Sequence, residues 1–220
     1  MASSGWMRKQ LSLMTLLACV AISPLDAAET IPLFNGKDLS GWTFDMKADV
    51  DPLTVWEVQD GVLVCHGNPV GVMRTKEVYG DYELIIEWRW APGSEGANSG
   101  LLLHASTPRH RDIWPKCLEV QLKSGDAGDL HMLGETIEIP EGEEARGSET
   151  HIPNVTDASE KPLGEWNLMR VKVSGDSILV WINGEKVNEG VKASATRGAI
   201  GFQSEGTEIQ LRKVELTRLD

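Results

Sequence analysis

Six consecutive residues, Leu118-Glu119-Val120-Gln121-Leu122-Lys123, alternate between apolar and polar. In an extended strand successive side chains point to opposite faces. Glu119, Gln121 and Lys123 therefore share one face, and Leu118, Val120 and Leu122 the other. Two further segments offer chemistry at the same spacing. Glu87 and Arg89 project together from one strand, and Leu102 and His104 from another. If these three strands lie in one concave sheet, a carboxylate, an imidazole and several hydrogen-bonding groups converge, which is the equipment of proton transfer. The plain alternative is a solvated sheet face, where alternating charge is ordinary. It fits Glu119 and Gln121 less well, because their flanking residues mark a well-packed strand. Asp126 and Asp129 flank glycines in a loop able to offer oxygen ligands, so a divalent cation is possible there. Their spacing matches no strong metal signature, and turn-forming aspartates are the simpler reading. His66, His110 and His151 show no partner in sequence. There is no nucleophile-elbow motif and no phosphate-binding glycine loop.

The elements that must position these groups read as strands. The pattern Val55-Trp56-Glu57-Val58-Gln59, the turn Asp60-Gly61 and the run 62–66 predict a hairpin. Residues 82–90 predict a long strand with Leu84, Ile86, Trp88 and Trp90 on one face. Residues 100–104 and 118–123 follow. Residues 166–174 and 178–182 flank Gly175-Asp176, and Asn183-Gly184 turns the chain into Lys186 and Val187. Residues 198–204 and 209–219 close the domain. About a dozen strands at this spacing predict an all-β sandwich or barrel. Two segments break the rhythm, a Gly-Ser-Asn loop at 91–99 and a long stretch at 124–165. No repeat and no second domain are evident.

The chain has 220 residues, 41% hydrophobic and 25% charged, enough for one domain with a buried core. Trp outnumbers the other aromatics, with 8 against 3 Phe and 2 Tyr. It suits cores and sugar-stacking surfaces alike. Residues 1–28 read as an export signal, with basic Arg8 and Lys9, an apolar run at 11–22, and small residues ending at Ala27 and Ala28. The product is then periplasmic or secreted. Leu16-Leu17-Ala18-Cys19 resembles a lipobox, which would instead anchor the chain through a lipid on Cys19. The leader carries Arg8, Lys9 and Asp26, so its removal takes the net charge from −12 to −13. Such a surface repels phosphate backbones and argues against a nucleic-acid partner. No apolar run is long enough for a transmembrane span. Cys65 and Cys117 remain after the leader, and an exported chain allows either a disulfide or two buried thiols.

Taken in order, several segments resemble one bacterial family. They are Leu33-Phe34-Asn35-Gly36-Lys37-Asp38-Leu39-Ser40-Gly41-Trp42, Trp56-Glu57-Val58 with Asp60-Gly61, Tyr82-Glu83-Leu84 with Glu87-Trp88-Arg89, and Asn98-Ser99-Gly100. Then come Leu118-Glu119-Val120-Gln121, Lys161-Pro162-Leu163-Gly164-Glu165-Trp166-Asn167, Trp181-Ile182-Asn183-Gly184 and Gly198-Ala199-Ile200-Gly201-Phe202-Gln203. Together they resemble the 3-keto-disaccharide hydrolase family over residues 31–219. The resemblance implies a concanavalin-like jelly-roll sandwich of two antiparallel sheets, forming a single domain over 29–220. Ser204-Glu205-Gly206 departs from the family, which often has a histidine and glycine there.

The resemblance also implies substrates with a ketone at C3 of a sugar. That ketone acidifies the C2–H. A base removes the proton, the C1 substituent departs, and water adds to the enone. Glu119, His104 and His131 are the expected acid and base. Glu87, Arg89, Asn98, Gln121 and Lys123 are expected to bind the substrate. No cofactor is expected beyond a possible divalent cation. Two other readings use the same sandwich. One is a non-catalytic carbohydrate-binding module with Trp114, Trp90 or Trp42 as the stacking platform. The other is a structural domain of the cell envelope.

Overall fold

A computed structural model of the chain describes Met1 and residues 29–94, 96–157 and 159–219. The expected leader and Cys19 thus lie, Met1 apart, outside the described residues. Fifteen strands follow in order: β1 (Thr30–Pro32), β2 (Trp42–Met46), β3 (Trp56–Gln59), β4 (Val62–Cys65), β5 (Gly71–Thr75), β6 (Tyr82–Trp90), β7 (Gly100–Ala105), β8 (Cys117–Gln121), β9 (Leu130–Leu133), β10 (His151–Ile152), β11 (Asn167–Ser174), β12 (Ser177–Ile182), β13 (Glu185–Gly190), β14 (Ala199–Ser204) and β15 (Ile209–Arg218). One short 3-10 turn at Pro52–Thr54 is the only helical element among the described residues. No helix among them is long and apolar enough to cross a membrane.

The strands form two antiparallel sheets. One runs β13-β12-β11-β6-β15-β4-β3, with β1 added beside β15, and the other runs β10-β9-β8-β7-β14-β5-β2. The fold is an all-β jelly-roll sandwich; the strand pattern predicts the all-β sandwich or barrel, and the family resemblance implies the jelly roll. Local turn chemistry explains the hairpins. Asp60 and Gly61 have φ of 50° and 79°, and Asn183 and Gly184 have 50° and 91°. Two successive positive φ values are what a two-residue hairpin turn needs.

The core lies between the sheets. Leu84, Ile86, Trp88 and Trp90 face inward from β6, and Leu118 and Val120 from β8. A smaller apolar cluster of Val72, Leu102, Ala105, Cys117, Leu133 and Ala199 covers part of the second sheet's outer face, with Trp114 packed on it. Trp42 and Trp90 are 3% and 1% exposed. They are core residues and offer no stacking platform, which corrects the expectation for both. Cys65 and Cys117 are buried free thiols in different sheets and different clusters, so the thiol alternative holds.

Candidate functional site

The site is built on one transverse row of the second sheet. Leu102 of β7 pairs with Glu119 of β8, Glu119 with His131 of β9, and His131 with His151 of β10. Side chains in such a row point to the same side, with facing Cβ atoms about 4.5–5.5 Å apart. Since Leu118 and Val120 fill the core, the row points outward. Two cavities hollow that outer face. One, of about 210 Å³, is lined by Arg111, Trp114, Glu119, His131, Met132, Leu133 and Thr150. The other, of about 380 Å³, is lined by Gln121, Lys123, Asp126, Asp129, His131, His151, Pro153 and Asp157. His131 belongs to both.

Glu119 is 6% exposed. Burial, and then the charge of Glu205, push its carboxyl up to about 8, while a hydrogen bond with Gln203 acts the other way. The Gln203 side-chain oxygen is buried with no hydrogen-bond partner among the described residues. Gly100 makes room for this pair, because a Cβ there would overlap Glu119 Oε1 and crowd Gln203 Oε1. Glu205 is itself half-buried, and burial raises its carboxyl too.

Beyond Glu119 the face turns polar. Asp129 and His131 occupy alternate positions and so share a face. His131 and His151 stack with ring centroids 4.3 Å apart and planes 11° from parallel. His151 Nε2 donates to Asp129 Oδ2 at 2.6 Å, and the Asn154 backbone N–H donates to Asp129 Oδ1 at 2.7 Å. Burial, and then the neighbouring His151, hold the His131 imidazole below its usual range. One ligating atom from each of Asp129, His131 and His151 lies within 4.8 Å of the others. These three are the residues able to hold a metal ion. Lys123 pairs with Asp126 through a short contact, so Asp126 is engaged elsewhere. Gln121 Oε1 accepts the Leu122 and Lys123 backbone N–H groups, both at 2.9 Å. The 124–129 turn is held by Glu160, which accepts from the Gly125 and Ala127 N–H groups.

The expected residues thus divide. Glu119, Gln121, Lys123 and His131 come together. Asn98 sits two residues before β7, its side-chain oxygen buried and without a partner. Glu87 and Arg89 do not join them, because β6 belongs to the other sheet. On that sheet's outer face Glu87 pairs with Arg212, and Arg89 lies 4.6 Å over the Trp166 ring and donates to Gln210 at 2.8 Å. The idea of three strands in one concave sheet is corrected accordingly.

His104 is also elsewhere. The pairing shifts between Ala199 and Gly201, which face Ala105 and Leu102. The extra residue on β7 is a bulge, with His104 at φ 55°. It resets the alternation, so Leu102 and Ala105 both join the outer cluster. His104 is fully buried. Its Nδ1 donates to the Ala195 carbonyl at 2.8 Å and its ring packs edge-on against Tyr82, a core residue.

His151 went unrecognised from sequence, being 20 positions from His131 in the irregular stretch 124–165. The Asp129-Leu130-His131 alternation was the one available signal. His66 has partners too, accepting or donating at 2.6 Å to Glu57 and 3.3 Å to Glu208.

An antiparallel sandwich carrying acidic and histidine side chains in hollows of one sheet is an architecture that hosts sugar-binding and sugar-cleaving proteins. Residues 29–217 match the 3-keto-alpha-glucoside-1,2-lyase-like domain, and the chain belongs to that family. It is 26% identical to a 3-keto-disaccharide hydrolase of Bacteroides thetaiotaomicron, covering 76% of this chain but 60% of that protein. A candidate glycosyl hydrolase of Parabacteroides distasonis superposes with a TM-score of 0.62 at 26% identity, over 87% of this chain and 100% of the other. The carbohydrate-binding module CBM66 of Bacillus subtilis gives 0.55 at 9% identity, over 80% of this chain and 94% of the other, a likeness of fold alone.

Proposed function

We propose that the chain is an exported carbohydrate-active enzyme that cleaves 3-keto-glycosides by elimination and hydration. The observation that carries this reading is Glu119, a carboxyl buried at the wall of an outward-facing cavity beside His131. A structural carboxylate at a sheet surface would be solvated or salt-bridged. Glu119 is neither, and its raised pKa places it near the optimum for a proton-transfer group. Family membership and the 3-keto-disaccharide hydrolase relative support the substrate class.

In the elimination, ionised Glu119 takes the C2 proton of the keto sugar. The C–H electron pair forms the C1–C2 double bond, and the C1–O bond breaks. The leaving oxygen needs a proton, and Glu119 now carries one. Water then adds at C1 and a proton returns to C2, so the net change is hydrolysis. Negative charge gathers on the ketone oxygen along the way. On this reading that oxygen sits beside His131, which lines both cavities, and Gln121 and Lys123 in the adjoining hollow hold hydroxyl groups. Trp114, at the edge of the first cavity, offers an apolar face to the departing group.

The test is turnover of a 3-keto-glucoside by the purified chain, followed by release of the C1 substituent. Wild type should turn over, and Glu119→Gln should lose about 10²–10⁴ in rate. Sugar binding without any turnover in the wild type would replace the enzyme with a binding module.

A further inference from the structure

We propose that Asp129, His131 and His151 bind one divalent first-row transition-metal ion at the junction of the two cavities. Two features of the backbone bring them together. Asp129 and His131 share a face by alternation, and His151 is the register partner of His131 across β9 and β10. The ligating atoms already lie within 4.8 Å of one another. Metal bonds of about 2.0–2.2 Å put neighbouring ligands roughly 3–3.5 Å apart, so small side-chain rotations close the set.

The donor types select the ion. Two imidazole nitrogens and one carboxylate oxygen suit zinc, manganese, iron or cobalt better than calcium or magnesium, which prefer all-oxygen sites. The carboxylate is also oriented from behind. The Asn154 N–H holds Asp129 Oδ1 at 2.7 Å, leaving Oδ2 toward the imidazoles, as supporting hydrogen bonds do at metal centres. A simple Asp–His pair accounts for the 2.6 Å contact with His151. It does not account for a second imidazole stacked at 4.3 Å with its nitrogen aimed at the same space.

Three protein ligands leave coordination positions open, and His131 lines both cavities, so those positions face room for water or a sugar. Sites that keep open positions are catalytic rather than structural. On the function proposed above, the ion would hold the ketone oxygen and neutralise the charge that develops there. That role rests on that reading; the binding itself does not. The loop aspartate Asp126, which reads from sequence more simply as a turn residue than as a cation ligand, is not in the set and pairs with Lys123.

The purified chain, stripped with a chelator, is titrated with zinc, manganese and cobalt by calorimetry, and the cobalt complex is followed by its visible absorption. One ion per chain is expected. His151→Ala should weaken binding by at least about tenfold and alter the cobalt spectrum. His151 is half-exposed on a two-residue strand, so this variant should fold; His151→Gln and a thermal melt guard against a collapsed site. Glu119→Gln should still bind the ion while losing turnover, which separates the two proposals. No binding, or several ions whose affinity His151→Ala leaves unmoved, overturns the site. Tight binding that depends on His151 in a chain inactive on keto-glucosides leaves the site standing and removes its catalytic role.

Discussion

Glu119 carries its burden because of what surrounds it rather than what it is. Its folded pKa, about 8, stands above the ordinary 4.5. The folded state therefore holds that proton more tightly than the unfolded state. Its contribution to stability is complete below about pH 4.5 and is lost as pH rises through about 8. Activity should move oppositely, rising as the base ionises toward pH 8. Thermal midpoints measured from about pH 4 to 9 should fall for wild type between about pH 4.5 and 8 and level off above that, and Glu119→Gln should flatten the fall. His104 makes the contrasting case. It was expected to move protons, but its Nδ1–H is committed to Ala195 and its ring is sealed against Tyr82. Burial lowers its pKa and keeps it neutral. His104→Ala should cost about 1–3 kcal/mol in a denaturant melt through the lost hydrogen bond. The keto-glucoside turnover of the folded fraction should be retained.

At the scale of elements, the pairing of β7, β8, β9 and β10 is what makes a site. Each strand supplies one member of a row, and none of the members is near another in sequence. Gly100 shows how closely the row is fitted. Gly100→Ala places a methyl against Glu119 Oε1 and Gln203 Oε1. Overpacking of this kind typically costs about 1–3 kcal/mol. Displacement of the carboxyl should lower turnover by far more than the loss of folded protein accounts for, as kinetics alongside a thermal melt would show. The long stretch 124–165, irregular in sequence, proves to hold β9 and β10 and much of the second cavity wall.

Across the whole molecule the two sheets divide the labour. The outer face of the first sheet is a lattice of Arg, Trp and Glu contacts, with Arg170 3.7 Å over the Trp181 ring and Arg89 and Arg212 both on Trp166. It shares no lining residue with either cavity of the second sheet. Arg89→Ala should therefore leave keto-glucoside turnover within about twofold of wild type and change stability by about 1 kcal/mol or less. A large loss of turnover would show that the first sheet takes part. Export is proposed on residues 1–28 alone. Mass spectrometry of the mature N-terminus should begin near residue 28 or 29, an intact Met1 would contradict export, and a lipid on Cys19 would mean anchoring.

How much of this was legible without coordinates depends on the range of the forces involved. Alternation at 82–90 and 118–123 and the turns Asp60-Gly61 and Asn183-Gly184 are local. They encode which face is core and where hairpins turn, so the sandwich and the outward direction of Glu119 follow from sequence. Sheet membership is not local. Glu87 and Arg89 show the same alternation as Glu119 and Gln121, yet nothing in either segment says that β6 lies in the opposite sheet. His104 defeats parity altogether, since the β7 bulge appears only against β14, and one inserted residue sends the imidazole to the core. His151 joins His131 through a two-residue pairing across a 20-residue span that has no periodicity to reveal it. Residue type and alternation determined what each strand could offer. Pairing order, register and one bulge decided which offers meet, because these depend on contacts between segments distant in the chain and on the burial that only their packing creates.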